Sequence, residues 1–491
     1  MTLHSAPVQP LTRQGRYAPL DILRGLALLG VLLVNLLTLF RVSLFTHITG
    51  ADVPADAAGR IVLALVVMFL QFKAFTLFSF LFGAGVAVQV ERASSPGGAA
   101  AFLLRRFLVL LAIGLIHLLL VWNGDILTLY AVCGLLLIPM LRLPTVVLAV
   151  LGTVVIVVSY FAAIPIAVPN TDAFRAQAID ATRVYAAGSF MEILSFRWRE
   201  TQVFLLPLLV LTLPRTYGVR LMGVAAWRAG LLTARRRLWL PILAGGAVIG
   251  AVGTALHVDL AATVPLAFAY AAAVLLWIPA SPLLAAGGQM ALTNYLTQSA
   301  VFCFVFYGYG LGQFGRLDVV PTVVGGVAFY LVQLVCSRLW LRRFHFGPAE
   351  WLWRSLSYGR RQPMLRGDLL ISQTGLRVML VCVLLFAVQL IHGGMAWTLG
   401  AWGPHWGWTA AGAPGRVNDM GLALVAAAMA LLAWILATAL GDIPRTPERT
   451  ALGLGRRGSS RPVHTHGRGI RSMSQRCSYG WAPRPTSEAR W

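Results

Sequence analysis

Charged residues are scarce in this chain: Asp, Glu, Lys and Arg make up 12% of its 491 residues, about half the ~25% of a typical soluble domain. Acidic residues number only 17, and Lys73 is the lone lysine. Cysteine is thin as well. Cys133, Cys303, Cys336, Cys382 and Cys477 show no C-x-x-C spacing, and all but Cys477 sit in apolar runs, where cysteine acts as a small hydrophobe. These shortages exclude a disulfide scaffold and imply no metal site. The composition also excludes coiled coils, collagen-like repeats and, outside roughly the last 50 residues, intrinsic disorder.

Apolar surface is what the chain has in abundance. Hydrophobic residues reach 58%, and apolar runs of about 20 residues recur, the length that crosses a ~30 Å hydrocarbon core as a helix. A soluble fold would have nowhere to bury them, so the lipid bilayer is the expected partner and an all-α polytopic transmembrane bundle the expected fold. The net charge of +23 comes from arginines between these runs and in the tail. Such placement encodes topology and predicts no nucleic-acid partner.

Twelve candidate spans can be marked: 20–40, one within 61–90, 104–122, 126–141, 145–168, 202–227, 239–256, 260–280, 288–307, 320–341, 376–393 and 420–440. Residues 61–90 exceed one straight crossing, so 61–72 are read as interfacial ahead of Lys73. The first run passes into Arg41, Val42 and Ser43 without a small-residue cleavage site, which predicts a retained span and no cleaved signal peptide. In 202–227, Pro214, Arg215 and Arg220 interrupt the run. Arg at membrane depth is costly unless paired or facing a wet cavity, so this helix is either broken at Pro214, bent outward early or irregular.

Loop charges fix a direction. With residues 1–16 inside, Arg92, Arg105, Arg106, Arg142, Arg228, Arg235, Arg342, Arg343, Arg354 and Arg360 fall on inner loops. The outer segments hold few arginines, and 169–201 balances Arg175, Arg183, Arg197 and Arg199 against Asp172, Asp180, Glu192 and Glu200. Both termini are therefore expected in the cytoplasm. Four divisions follow: an N-terminal segment 1–16, a ten-span core 17–362, a two-span extension 363–440, and a basic, disordered tail 441–491 suited to an anionic inner leaflet.

Five strings occur in order: DILRGLALLGVLLVN from Asp21 to Asn35, FTLFSFLFGAG at 75–85, IGLIHLLLVWNGDILTLYAV at 113–132, MALTNYLTQS at 290–299 and GPAEWLWRSLSYG at 347–359. Together they resemble the YeiB family, bacterial integral membrane proteins built around a domain of unknown function, across roughly residues 17–362. The resemblance implies a distant similarity to transmembrane acyltransferases. In many of those an Arg is followed, with ten residues between, by an essential His. Here that spacing from Arg24 ends on Asn35, and a heparan-type branch with Asn at this place uses a later His, for which His47 is a counterpart to consider.

The residues themselves point to a short set of candidates, because polar groups inside a membrane are costly and tend to line sites. His117 can accept a proton from a hydroxyl or amine, and Asp125 can orient a donor or hold an acceptor sugar, with Trp122 and Asn123 beside it. At helical rise His117 lies about 12 Å below the outer end of its span, and Asn35 about 16 Å from Arg24. Asn294 and Gln298, four apart, share a helix face. Arg105, Arg106 and Arg354 form a basic mouth for the phosphates of an acyl-CoA, the one cofactor-like molecule implied. Each has a plainer reading: His117, Asn35, Asn294 and Gln298 as interhelical hydrogen bonders, Asp125 and Trp122 as a wet turn with an interfacial anchor, the arginines as topology signals.

These readings converge on a multi-pass protein of the bacterial cytoplasmic membrane. It would move an acyl group, such as acetyl, from a cytoplasmic acyl-CoA to a small or glycan acceptor, with no tightly bound cofactor. A transporter or flippase and a non-catalytic scaffold are the alternatives.

Overall fold

The computed structural model describes residues 17–365 apart from 51, 55, 94–95, 162–170, 234–235, 257 and 279. The expected spans at 376–393 and 420–440, the tail and the first 16 residues lie outside them. Among the described residues the fold is all helical. Its one β feature is an isolated bridge between Phe344 and Leu365.

Helix α1 (Ala18–Asn35) starts with Pro19 in its first turn, where a missing N–H costs nothing, and runs on through a π-turn at Leu36–Phe40. Helix α2 (Leu44–Ile48) is capped by Ser43 and α3 (Ala57–Phe69) by Asp56. The chain then breaks at Phe72, a non-glycine residue with φ of 62°, before α4 (Lys73–Glu91). The helical path is thus interrupted just ahead of Lys73. Next come α5 (Pro96–Ile116), with a π-turn at His117–Val121, then α6 (Leu127–Met140), α7 (Thr145–Phe161) and α8 (Thr171–Ala187).

Helix α9 (Phe190–Arg228) opens on a capping box between Ser189 and Glu192. It does not break at Pro214. Its bend of 57° lies earlier, between Phe190–Pro207 and Leu209–Arg228, as expected where Pro207 removes a backbone hydrogen bond. The order ends with α10 (Trp239–Ala255), α11 (Asp259–Trp277), α12 (Pro282–Gln289), α13 (Ala291–Phe306), α14 (Val319–Arg343) and α15 (Pro348–Tyr358).

Among the described residues, five helical stretches are long and apolar enough to cross a membrane, six with the bent α9, and four shorter apolar helices accompany them. Each of the ten core runs marked in the sequence coincides with one of these.

Helix pairing is close where glycine allows it. A side chain at Gly83 would overlap the carbonyl of Arg220, and one at Gly223 the carbonyl of Phe80, so α4 and α9 lie backbone to backbone. Because 83 meets 220 and Glu91 meets Trp227 at 2.9 Å, the two helices run parallel. The bundle has two distinct ends. At one, Tyr17 donates to the Leu232 carbonyl, Arg228 to the Leu141 and Leu143 carbonyls, and the Trp353 indole to the Arg106 carbonyl. Every one of these contacts joins segments marked as inner. At the other, Arg41 pairs with Asp52, Asn123 donates to Glu200, and the Gly308 N–H donates to Tyr185.

Candidate functional site

A cavity of about 230 Å³ opens among α1, α4, α5, α6, α13 and α15 at the arginine-rich end. Arg24, Arg92, Arg106 and Arg354 line it, with Asp21 and Glu350 among them. Deeper, the lining turns apolar and aromatic, through Leu28, Phe82, Phe107 and Leu110 to Tyr130 and Tyr295. Cations at one end and hydrocarbon at the other suit an amphiphile with an anionic head.

Each charged group is held by a distinct contact. Arg24 pairs with Asp21 at 2.9 Å, one helical turn away. Arg106 lies flat on Trp353, its guanidinium carbon 3.6 Å from the ring centroid, and Arg354 lies 4.5 Å over Phe346. Glu350 accepts the N–H groups of Leu292 and Thr293 and the Thr293 hydroxyl, so α15 caps the start of α13 from outside. Burial pushes the Glu350 carboxyl above its ordinary range while these donors pull it back. Arg105 is exposed and stands outside the lining, near Gly359.

His117 and Asp125 form a buried dyad. His117 Nδ1 lies 2.9 Å from Asp125 Oδ1, and the side chains are 2% and 0% exposed. Asp125 also accepts the N–H groups of Leu127 and Thr128, which fixes it as an acceptor and assigns the His117 proton to Nδ1. In the neutral imidazole Nε2 then carries the lone pair, and it has no hydrogen-bond partner. Eight helical residues would separate the two by about 12 Å. The π-turn ends at Val121, Trp122 is extended, and the chain turns back to bring Asp125 beside His117.

The dyad sits one layer behind the cavity. Tyr295 lines the cavity, its ring centroid 5.3 Å from that of His117. Its hydroxyl lies 3.3 Å from the Ile126 N–H and 3.4 Å from the Gly124 carbonyl.

The remaining candidates lie elsewhere. Trp122 is fully buried, stacked on Phe40 at 4.1 Å, and Asn123 donates to Glu200 at 2.7 Å. Asn294 bonds Ser337 and the Gly287 carbonyl, and Gln298 donates to Gln333, stitching α13 to α12 and α14. Asn35 is half-buried and outside the lining. His47, on α2, is held below its ordinary pKa chiefly by burial, with Asp52 opposing. Thus Arg24, Arg106 and Arg354 come together in the cavity, while His117 and Asp125 come together behind it.

Several residues of the site were not among the candidates singled out in the sequence. Tyr295, Tyr130, Arg92 and Glu350 line the cavity, and Arg197 and Glu200, read as balanced loop charges, are buried. Arg197 donates to the Val121 carbonyl, and Glu200 accepts from Tyr185 and Asn123. Their partners are 15 to 77 positions away, so no local pattern announced them.

A family model described as a protein of unknown function, DUF418, matches residues 215–360. The chain is 33% identical over 405 residues to the uncharacterized protein YxaH of Bacillus subtilis, covering 73% of this chain and 98% of that one. The chain belongs to the YeiB-like DUF418 family. It is also 31% identical to an uncharacterized 39.9 kDa protein of the amylase 3′ region of Bacillus acidopullulyticus, with the same coverage. To the uncharacterized protein YeiB of Escherichia coli it is 29% identical over 399 residues, covering 71% of this chain and 98% of that one. No solved structure matches. This YeiB-like chain is thus a polytopic helical protein of bacterial membrane type.

Proposed function

We propose that this protein transfers an acyl group from a cytoplasmic acyl-CoA to a small or glycan acceptor. The observation that supports this reading best is the cavity, with Arg24, Arg92, Arg106 and Arg354 at its polar end and hydrocarbon below. Guanidinium groups bind phosphates bidentately, and the apolar depth takes the pantetheine arm and its acyl end. The acceptor hydroxyl or amine gives its proton to His117 Nε2 as it attacks the thioester carbonyl. The proton then passes to the leaving CoA thiolate. Asp125 acts as a positioning residue, holding His117 in the tautomer this needs. Tyr295, which lines the cavity beside His117, swings aside when the acceptor binds.

In this reading the arginine-rich end faces the cytoplasm, both termini are inside, and the membrane is the bacterial cytoplasmic one. A reporter inserted near residue 185 reads outside and one after Arg361 inside.

The deciding experiment uses purified protein in nanodiscs, labelled acetyl-CoA and a panel of hydroxyl and amine acceptors. His117→Gln lowers transfer by roughly 10² to 10⁴ while abundance persists. Transfer that survives this change moves the base elsewhere, with His47 next. No transfer to any acceptor overturns the proposal.

A further inference from the structure

Two cavities lie in tandem along α4. The larger follows its second half, from Phe78 to Gln89. A smaller one, about 30 Å³, follows its first half, where Phe72, Thr76 and Ser79 face Arg215, Thr216 and Val219 of α9. Since α4 and α9 run parallel, the two cavities succeed one another along the helix axis. A pair of hydroxyls meets between them: Ser79 lines the smaller cavity, Tyr130 the larger, and their oxygens are 2.8 Å apart. Phe75 on one side and Phe78 on the other each pack 5.8 Å from the Tyr130 ring.

Arginines mark the same axis. Arg220 is fully buried, its guanidinium 4.3 Å from the Phe82 ring centroid and 4.1 Å from that of Tyr130. One nitrogen donates to the Tyr130 carbonyl at 2.6 Å, while Nε and Nη2 have no hydrogen-bond partner. Arg215 lines the smaller cavity, stacks 3.9 Å over Tyr160, and leaves Nε unpartnered. A buried cation with unfilled donors is costly, and such groups persist in membrane bundles where they meet a permeant or ligand of opposite charge.

We propose that α4, α7 and α9, with α6 at the larger cavity, enclose a passage for a small monovalent anion, with Tyr130 as its gate, latched by Ser79 and Arg220. Breaking the hydroxyl pair frees the Tyr130 ring, joins the cavities and uncovers Arg220, which lines neither cavity while the pair is closed, so that the anion accepts from the open N–H groups of Arg215 and Arg220. The smaller cavity, room for roughly one water-sized group, sets the size class. The proposal shares the larger cavity with the acyl-transfer reading but needs neither acyl-CoA nor His117, so the two stand or fall separately.

The test uses full-length protein in vesicles loaded with labelled chloride. Tyr130→Ala raises chloride efflux at least tenfold over wild type without raising potassium efflux, and adding Arg220→Gln removes most of that gain. Efflux no faster than from protein-free vesicles, or equal leakage of potassium, overturns the passage. Should Tyr130→Ala not fold, Tyr130→Phe keeps the ring and its contact with Arg220 but removes the Ser79 half of the latch, and the same criteria apply to it. A second measurement places Thr216→Cys in a cysteine-free background. A sulfonate thiol reagent modifies it at least tenfold faster than a trimethylammonium reagent of similar size. Equal rates, or a faster cationic reagent, contradict an anion site.

Discussion

The two ends of this bundle keep polar groups in an apolar chain by opposite means. At the arginine-rich end, Arg24, Arg92, Arg106 and Arg354 line an open cavity of about 230 Å³. At the other end, His117 and Asp125 are sealed, with side chains 2% and 0% exposed. Arginines that line a cavity remain within reach of an incoming phosphate. A sealed dyad is instead held by backbone N–H groups, which preset its proton before anything arrives. In the acyl-transfer proposal, one end therefore binds and the other orients.

The sharpest way to break this comparison is at Glu350, which anchors the binding end by capping α13. Glu350→Ala orphans the N–H groups of Leu292 and Thr293 and the Thr293 hydroxyl. It should cost roughly 3 to 5 kcal/mol, read as a lowered denaturation midpoint in detergent, while Glu350→Gln retains part of the cap. A midpoint unchanged by Glu350→Ala would mean that α15 does not hold the cavity floor.

A smaller effect is expected where the ends are joined. Gly83→Ala places a Cβ against the Arg220 carbonyl, so α4 and α9 must part, at roughly 1 to 3 kcal/mol. Retained stability would show that these helices slide freely. Smaller again is Asn294→Ala, which removes the bonds to Ser337 and the Gly287 carbonyl. Interhelical hydrogen bonds in membranes are worth about 1 kcal/mol, so the midpoint should fall slightly and acyl-CoA binding should persist. Loss of binding with an intact fold would assign Asn294 to the site.

The least effect concerns His47. Its folded pKa is depressed, chiefly by burial, so protonation favours the unfolded chain. Its contribution to stability is present above the ordinary histidine value, about 6.5, and is lost as pH falls through its folded pKa. Compared with His47→Gln, the wild type should lose more melting temperature between pH 8 and 5.5. Parallel pH profiles would show that His47 is solvated, and would weaken it as an alternative base.

Much of the architecture was legible because apolar length and loop arginines are physical requirements of a bilayer. Among the described residues all ten core runs fall on helices, and the interruption before Lys73 agrees with the excess length of 61–90. The S-x-x-E box at Ser189 and Glu192 was readable too, yet the segment 169–201 passed as a charged loop because its arginines seemed balanced. The site was half legible. Arg24, Arg106 and Arg354 carried their charge openly, and His117 and Asp125 stood out as polar groups in apolar surroundings. Their direct contact was hidden, since it depends on a π-turn and a chain reversal that no helical spacing encodes. Of the alternatives open for 202–227, the break at Pro214 is not the one found: the helix continues there and bends near Pro207 instead.

The central claim is that the open end binds an acyl-CoA through its arginines while the sealed dyad takes no part in binding. Equilibrium binding of labelled acetyl-CoA to purified protein in nanodiscs tests it directly. Binding should be saturable, weakened roughly tenfold or more by Arg106→Gln and unchanged by His117→Gln. Absence of saturable binding, or equal affinity in wild type and Arg106→Gln, would contradict it.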